Sequence, residues 1–190
     1  MIAQPQVHIW TRQEYNCMAS IGLFDRRRVE LIEGQVIDMA AIKSPHAVTV
    51  DLVDMALKVV FGPGYYIRQQ KPFVISDISE PEPDVAVIKG DIRDFTDAHP
   101  TAAELIVEVA DSSLSYDRTV KGSLYAKAGM AEYWIVNLVD QQLEVYSRPR
   151  PDTKADYGFS YGVSDIYRPG QQITPLSASD KSVAIADILP

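Results

Sequence analysis

Cysteine is nearly absent: the only one in 190 residues is Cys17, which excludes an internal disulfide and a cysteine-based zinc site. A single small thiol of this kind is expected to be a buried apolar side chain. No apolar run approaches the ~18 residues that a membrane-spanning helix needs. The N-terminus has no basic region followed by a hydrophobic one, so a soluble, cytoplasmic chain without a membrane partner is expected. Positive charge is also short. Against 26 Asp and Glu stand 18 Lys and Arg, a formal net charge of −8, which on its face argues against a nucleic-acid partner.

What is present is an apolar chain with unevenly placed acids. At 46% hydrophobic content the sequence can bury one core, and a single domain over 1–190 is expected. Residues 77–117 hold eleven acids and two bases, while the remainder holds fifteen acids and sixteen bases. All the excess negative charge therefore lies in one segment. A bound metal cluster would offset part of it.

The centre of that segment is Leu105-Ile106-Val107-Glu108-Val109-Ala110. Apolar residues on both alternating faces predict a central strand, and a lone carboxylate in it would cost several kcal/mol or take up a proton. Glu108 therefore needs a partner. Upstream, Pro83-Asp84-Val85-Ala86-Val87-Ile88 is a second short strand that opens on an acid. The polar connection from Gly90 to Thr101 is long enough to let these two strands pair antiparallel. Downstream, residues 116–128 have helical spacing, with apolar Val120, Leu124 and Ala128 four apart and Lys121 beside them, and Gly129 ends the helix. Two strand carboxylates and a helix ammonium can thus converge, a grouping that suits a divalent metal.

The run Pro83-Asp84, Glu108-Val109-Ala110-Asp111-Ser112-Ser113, Asp117, Lys121, Tyr125-Ala126, Gly129 and Glu132-Tyr133-Trp134-Ile135-Val136 resembles the bacterial Uma-type restriction endonucleases, within the PD-(D/E)xK nuclease superfamily. The resemblance covers roughly residues 10–150. It implies an α/β (α+β) restriction-endonuclease-like fold, a mixed sheet flanked by helices, with residues 151–190 as a C-terminal strand extension. It implies a Mg²⁺- or Mn²⁺-dependent endonuclease acting on DNA, in which Asp84, Glu108 and the Val109 carbonyl hold the metal. The superfamily lysine would stand two residues after the glutamate, where this chain has Ala110; the resemblance moves that role to Lys121, with Asp117 fixing its head. Such nucleases often cut two strands as homodimers.

The other segments leave more than one reading. Thr11-Arg12-Gln13-Glu14 is a capping-box pattern that predicts a helix to about Ser20, preceded by a loose arm over 1–9. Arg26-Arg27-Arg28 is the densest basic cluster, either a solvated turn or a phosphate contact. Residues 29–39 alternate around Glu33-Gly34 and predict a hairpin whose Glu30 faces solvent; the resemblance instead brings Glu30 to the metal site. Ser44 as N-cap, Pro45 in the first turn and apolar Val50, Val53, Ala56, Leu57 and Val60 predict a helix to Phe61. His46 is either a first-turn surface residue or the histidine found at this point in the resembling family. Residues 65–75 read as a strand, and 132–138 and 142–146 as two more, with Trp134 in the core and a break at Pro149-Arg150-Pro151-Asp152. Two or three short strands follow.

The bland alternative for Asp117 and Lys121 is an i,i+4 helix pair worth only ~0.5 kcal/mol, and for Glu108 and Lys121 a structural bridge. Three functional classes follow: a metal-dependent nuclease, a catalytically weak or inactive binding module on the same fold, and a phosphodiesterase for small phosphate esters.

Overall fold

Strand β5 (Leu105–Ala110) is buried at every position, and the rest of the chain is layered on its two faces. The structure, a computed structural model, describes residues 5–178 and 180–190. A mixed six-stranded sheet runs in the order β3 (Tyr65–Gln69), β4 (Val85–Lys89), β5, β6 (Glu132–Asn137), β7 (Gln142–Pro151), β8 (Phe159–Tyr167). Every neighbouring pair is antiparallel except β5 and β6, which are parallel because a helical crossover joins them.

One face of the sheet is covered by α2 (Ser44–Phe61), whose Val50, Val53 and Leu57 meet Val85, Val107, Val109 and Trp134. The crossover covers the other face, where Tyr125 and Met130 meet Ile106, Ala110 and Ile135. With period two along β5, Glu108 shares the crossover face. Trp134 is fully buried, as its core assignment requires.

The crossover departs from a regular helix. It starts at α3 (Leu114–Tyr116), passes through a π-helical turn (Asp117–Lys121) and continues as α4 (Gly122–Lys127). In the π turn the Gly122 N–H reaches back five residues to the Asp117 carbonyl, which also accepts from the Tyr133 hydroxyl at 3.1 Å. Arg118 anchors the turn to β7 through Glu144, 2.9 Å from Nε to Oε2. Burial alone would raise the Glu144 carboxyl, but hydrogen bonds from Arg118, Asn137 and Tyr146 bring it down to about 2. The helix ends in a glycine cap, with Gly129 N–H on Ala126 and Met130 N–H on Tyr125.

Outside the sheet, α1 (Arg12–Ser20) carries the expected capping box, and β1 (Val29–Ile32) with β2 (Gln35–Asp38) forms the expected hairpin. Glu33 and Gly34 both have positive φ, 46° and 75°, the mirror-image turn that suits a two-residue loop. A Cβ on Gly34 would lie 2.2 Å from Ile9 Cγ2. Gly34→Ala should therefore lower the urea midpoint by the equivalent of about 1–3 kcal/mol; an unchanged midpoint would show that the segment before α1 shifts freely.

Several expectations are corrected. The loose arm is not among them: residues 1–4 lie outside the described residues, and 5–9 take no regular structure, as expected. Cys17 is exposed, because α1 buries none of its residues. Lys43, not Ser44, is the N-cap of α2, and no side chain caps it. The strand from Tyr65 stops at Gln69, since Gln70 turns to φ 45° and Pro72 follows. Pro149 and Pro151 do not end β7. Past Ser147 only β8 pairs with it, so the missing proline N–H costs the sheet little. The tail accordingly completes the sheet with β8, then adds a small pair, β9 (Gln172–Ile173) and β10 (Val183–Ala184).

Candidate active site

Val85 pairs with Val107, so the register continues to set Asp84 opposite Glu108 where β4 begins. Each acid holds a donor from the other's strand. The Asp84 N–H donates to Glu108 Oε2 at 3.1 Å, and the Val109 N–H donates to Asp84 Oδ2 at 2.9 Å. The remaining oxygens are also engaged. Asp84 Oδ1 accepts from Gln70 Nε2 at 3.0 Å and lies 2.9 Å from His46 Nε2. Glu108 Oε1 accepts from the Tyr125 hydroxyl at 2.7 Å and Lys121 Nζ at 3.2 Å.

Lys121 is shared between two acids. It sits nearer Glu30, 2.6 Å from Oε2, an oxygen that also accepts the Glu82 N–H at 3.3 Å. Glu30 therefore does not face solvent: it is 2% exposed. Sheet alternation failed there because β1 has no open face: all four of its residues are buried, and Lys121 of the crossover lies on Glu30. His46 is not a surface residue of the first turn but half-buried against Asp84.

Asp117 neither fixes the head of Lys121 nor makes an i,i+4 ion pair with it. Its carboxylate accepts from Ser113 Oγ at 2.6 Å, while the Lys121 ammonium is turned to Glu30 and Glu108.

These groups form the floor of a cleft of about 280 Å³, with Arg28 and the pair Lys43–Asp111, 2.9 Å apart, at its rim. Of the three arginines only Arg28 lines it, 3.7 Å from Glu82; Arg27 turns to Asp38, and Arg26 is exposed away from it. Sequence reasoning gave no role to Tyr125 or Gln70. Tyr125 had a signal, four residues after Lys121 on the same face. Gln70 had none, since a positive φ brings it to Asp84.

Burial pushes the Glu108 carboxyl up to about 8, the nearby Asp84, Asp117 and Glu30 adding to it against the pull of Lys121. Lys121 loses by burial but faces two carboxylates, which together hold it well above its ordinary range. One ammonium serving two acids leaves Glu108 the undercompensated one. Asp84 is buried too, yet the hydrogen bonds from His46, Gln70 and Val109 hold it below its ordinary value. Burial likewise lifts Asp117 to about 6. The His46 ring, though penalised by burial, is raised by Asp84.

From 4.5, the ordinary value, up to about 8, folded Glu108 keeps a proton that the unfolded chain has released. Asp117 and His46 act in the same direction, and Lys121 titrates only above this window. Stability of the metal-free protein should therefore fall as pH rises from about 5 to about 8. Urea midpoints that rise across that range would sink this assignment.

As a metal site the floor offers two carboxylates and a strand carbonyl, all hard oxygen donors, which fits an ion that keeps several waters and takes one or two carboxylates. Among the described residues no three His, Cys, Asp or Glu side chains are grouped closely enough to hold a metal by themselves. Any further ligands would be water and substrate oxygens.

A family model, Uma2, described as "Putative restriction endonuclease", matches residues 12–176. No curated protein sequence matches the chain. Among solved structures, one titled as a putative nuclease belonging to DUF820, from Anabaena variabilis, superposes with a TM-score of 0.66 at 18% identity, over 85% of this chain and 89% of that one. At that identity the likeness speaks for the fold, a restriction-endonuclease-like mixed sheet flanked by helices.

Proposed function

This chain belongs to the Uma2 family, and from that premise we propose that it is a divalent-metal-dependent endonuclease hydrolysing DNA phosphodiester bonds. The observation that carries the proposal is the floor of the cleft, where Asp84 and Glu108 face each other across β4 and β5 with a buried lysine beside them.

Asp84, Glu108 and the Val109 carbonyl would hold one or two Mg²⁺ or Mn²⁺ ions. Bound there, the ion would lower the pKa of a water and neutralise charge on the scissile phosphate. Tyr125 fixes the Glu108 carboxylate, and His46 and Gln70 fix that of Asp84, so both acids are aimed before substrate arrives. Lys121 orients the attacking water or stabilises charge on the phosphorane; Glu30 holds its ammonium in place. Arg28 at the rim is the member of the basic cluster placed to meet a backbone phosphate. Arg28→Ala should reduce the slope of log affinity against log salt by about 0.9, one phosphate contact, in DNA binding measured with Ca²⁺. Arg26→Ala should leave the slope alone. An equal effect of both would place the DNA elsewhere. The protein is read as a homodimer, two sites serving two strands.

A second reading, a binding module on the nuclease fold, is favoured by one fact: every oxygen of Asp84 and Glu108 already accepts a protein hydrogen bond. Titration of Mn²⁺ and Mg²⁺, followed by assays on supercoiled plasmid and on bis(p-nitrophenyl) phosphate, decides. Metal binding with plasmid nicking supports the nuclease. Turnover of the small ester alone supports a phosphodiesterase, and no binding at millimolar metal supports the module.

A further inference from the structure

Helix α2 is apolar almost all the way round, the pattern of a helix covered on every side. Its inner face is packed on the sheet. On its outer face Val48, Met55 and Val59 are 46%, 56% and 68% exposed, with half-buried Leu52 between them. Their spacing of four, three and four residues is that of a coiled-coil seam, roughly 17 Å long at the helical rise. Two charges of the helix itself border this seam, Asp51 and Lys58, both on the same flank, and Lys181 from the tail reaches its end, donating to the Val59 carbonyl at 2.9 Å. Lys58 is tied to Asp54 of its own helix at 2.6 Å, and Asp51 has no ion-pair partner among the described residues.

We infer that this face is where a second copy of the chain docks, α2 lying antiparallel on α2 about a two-fold axis near its middle. The charges argue for a second copy. Two antiparallel helices related by a two-fold meet along the same flank, so Asp51 faces the partner's Lys58 and Lys58 the partner's Asp51. A parallel pair would set the charged flank against the apolar one. The same axis lays Val48 on the partner's Val59 and Leu52 on the partner's Met55, so the seam is complementary to itself, as an isologous contact requires. Since α2 begins at the cleft with His46, the pairing sets two clefts at opposite ends of the helix pair, roughly 20 Å apart along it. This gives a surface to the homodimer of the preceding section, and its test reads assembly rather than cleavage.

Sedimentation velocity on the full chain over a range of concentrations is the measurement, with circular dichroism confirming that each variant is folded. The wild type is expected to dimerise reversibly. Met55→Glu, at an exposed position, is expected to be monomeric at every concentration tested. Asp51→Lys alone is expected to raise the dimer Kd about tenfold or more, and Asp51→Lys with Lys58→Asp to bring it back towards wild type. A wild type that stays monomeric at hundreds of micromolar, or a dimer indifferent to both Met55→Glu and Val59→Glu, overturns the inference. Failure of the charge swap to recover any affinity overturns the antiparallel arrangement.

Discussion

Glu108→Gln is expected to reduce plasmid nicking by on the order of 10²–10³ or more and to abolish the heat of Mn²⁺ binding, while changing stability by no more than about 1–2 kcal/mol. The two effects part company because of what Glu108 is. A carboxylate 4% exposed, raised to about 8 and sharing its cation, is a liability to folding. A neutral amide of the same shape removes the desolvation penalty and can still accept from Tyr125 and Lys121, but its NH2 replaces the oxygen that accepts the Asp84 N–H, which offsets part of that gain. What glutamine lacks is the charge that a hard cation needs. Nicking, calorimetry and a urea titration on one preparation separate the outcomes: full activity would remove Glu108 from the chemistry, and a large loss of stability would make it a structural acid.

Lys121→Met should behave in the opposite sense. Methionine fills the space of the lysine stem but leaves Glu30 and Glu108, 2% and 4% exposed, without their common cation. Removing one partner of a buried pair costs about 3–5 kcal/mol. The loss should grow above about pH 8, where Glu108 would otherwise give up its proton and carry a charge that Lys121 compensates. Nicking should vanish, yet metal should still bind, because the ammonium no longer competes for Glu108 Oε1. Mn²⁺ should therefore raise the melting temperature of Lys121→Met more than that of the wild type, as a ligand specific to the folded state does. Adding Glu30→Gln should recover part of the lost stability, since the two changes act on one network. If Lys121→Met nicks at the wild-type rate, Lys121 is a structural counter-ion.

Sequence carried the centre of this site because two strong constraints met there. An acid inside a strand apolar on both faces must be compensated, and antiparallel pairing with a strand that itself opens on an acid leaves few places for the compensation. Lys121 was legible for the same reason. Glu30 was misplaced because alternation tells which residues share a face, not whether a distant segment covers it. Cys17 failed similarly: its helix has local spacing and a cap, but lies outside the core. Gln70 and the true cap of α2 depend on single backbone angles that composition does not record. The outer face of α2 was in view as letters, but only the packed inner face shows it to be surplus.

The π turn bears on how this chain can vary in length. Its Gly122-to-Asp117 hydrogen bond marks one residue more than a regular helix would hold. Deleting a residue there would close a regular turn from Asp117 to Gly122 and leave the segments on either side in phase, but it would redistribute the side chains between them, so that Arg118 on Glu144 and Lys121 on Glu30 and Glu108 would no longer both hold their directions. One-codon deletions within 118–121 should therefore cost stability as well as nicking, since buried Glu30 and Glu108 lose a well-placed cation. In the exposed part of the polar connection, 96–98, before His99 meets Arg68 and the Pro100 carbonyl accepts from Val74, gains and losses of a codon should drift freely between lineages.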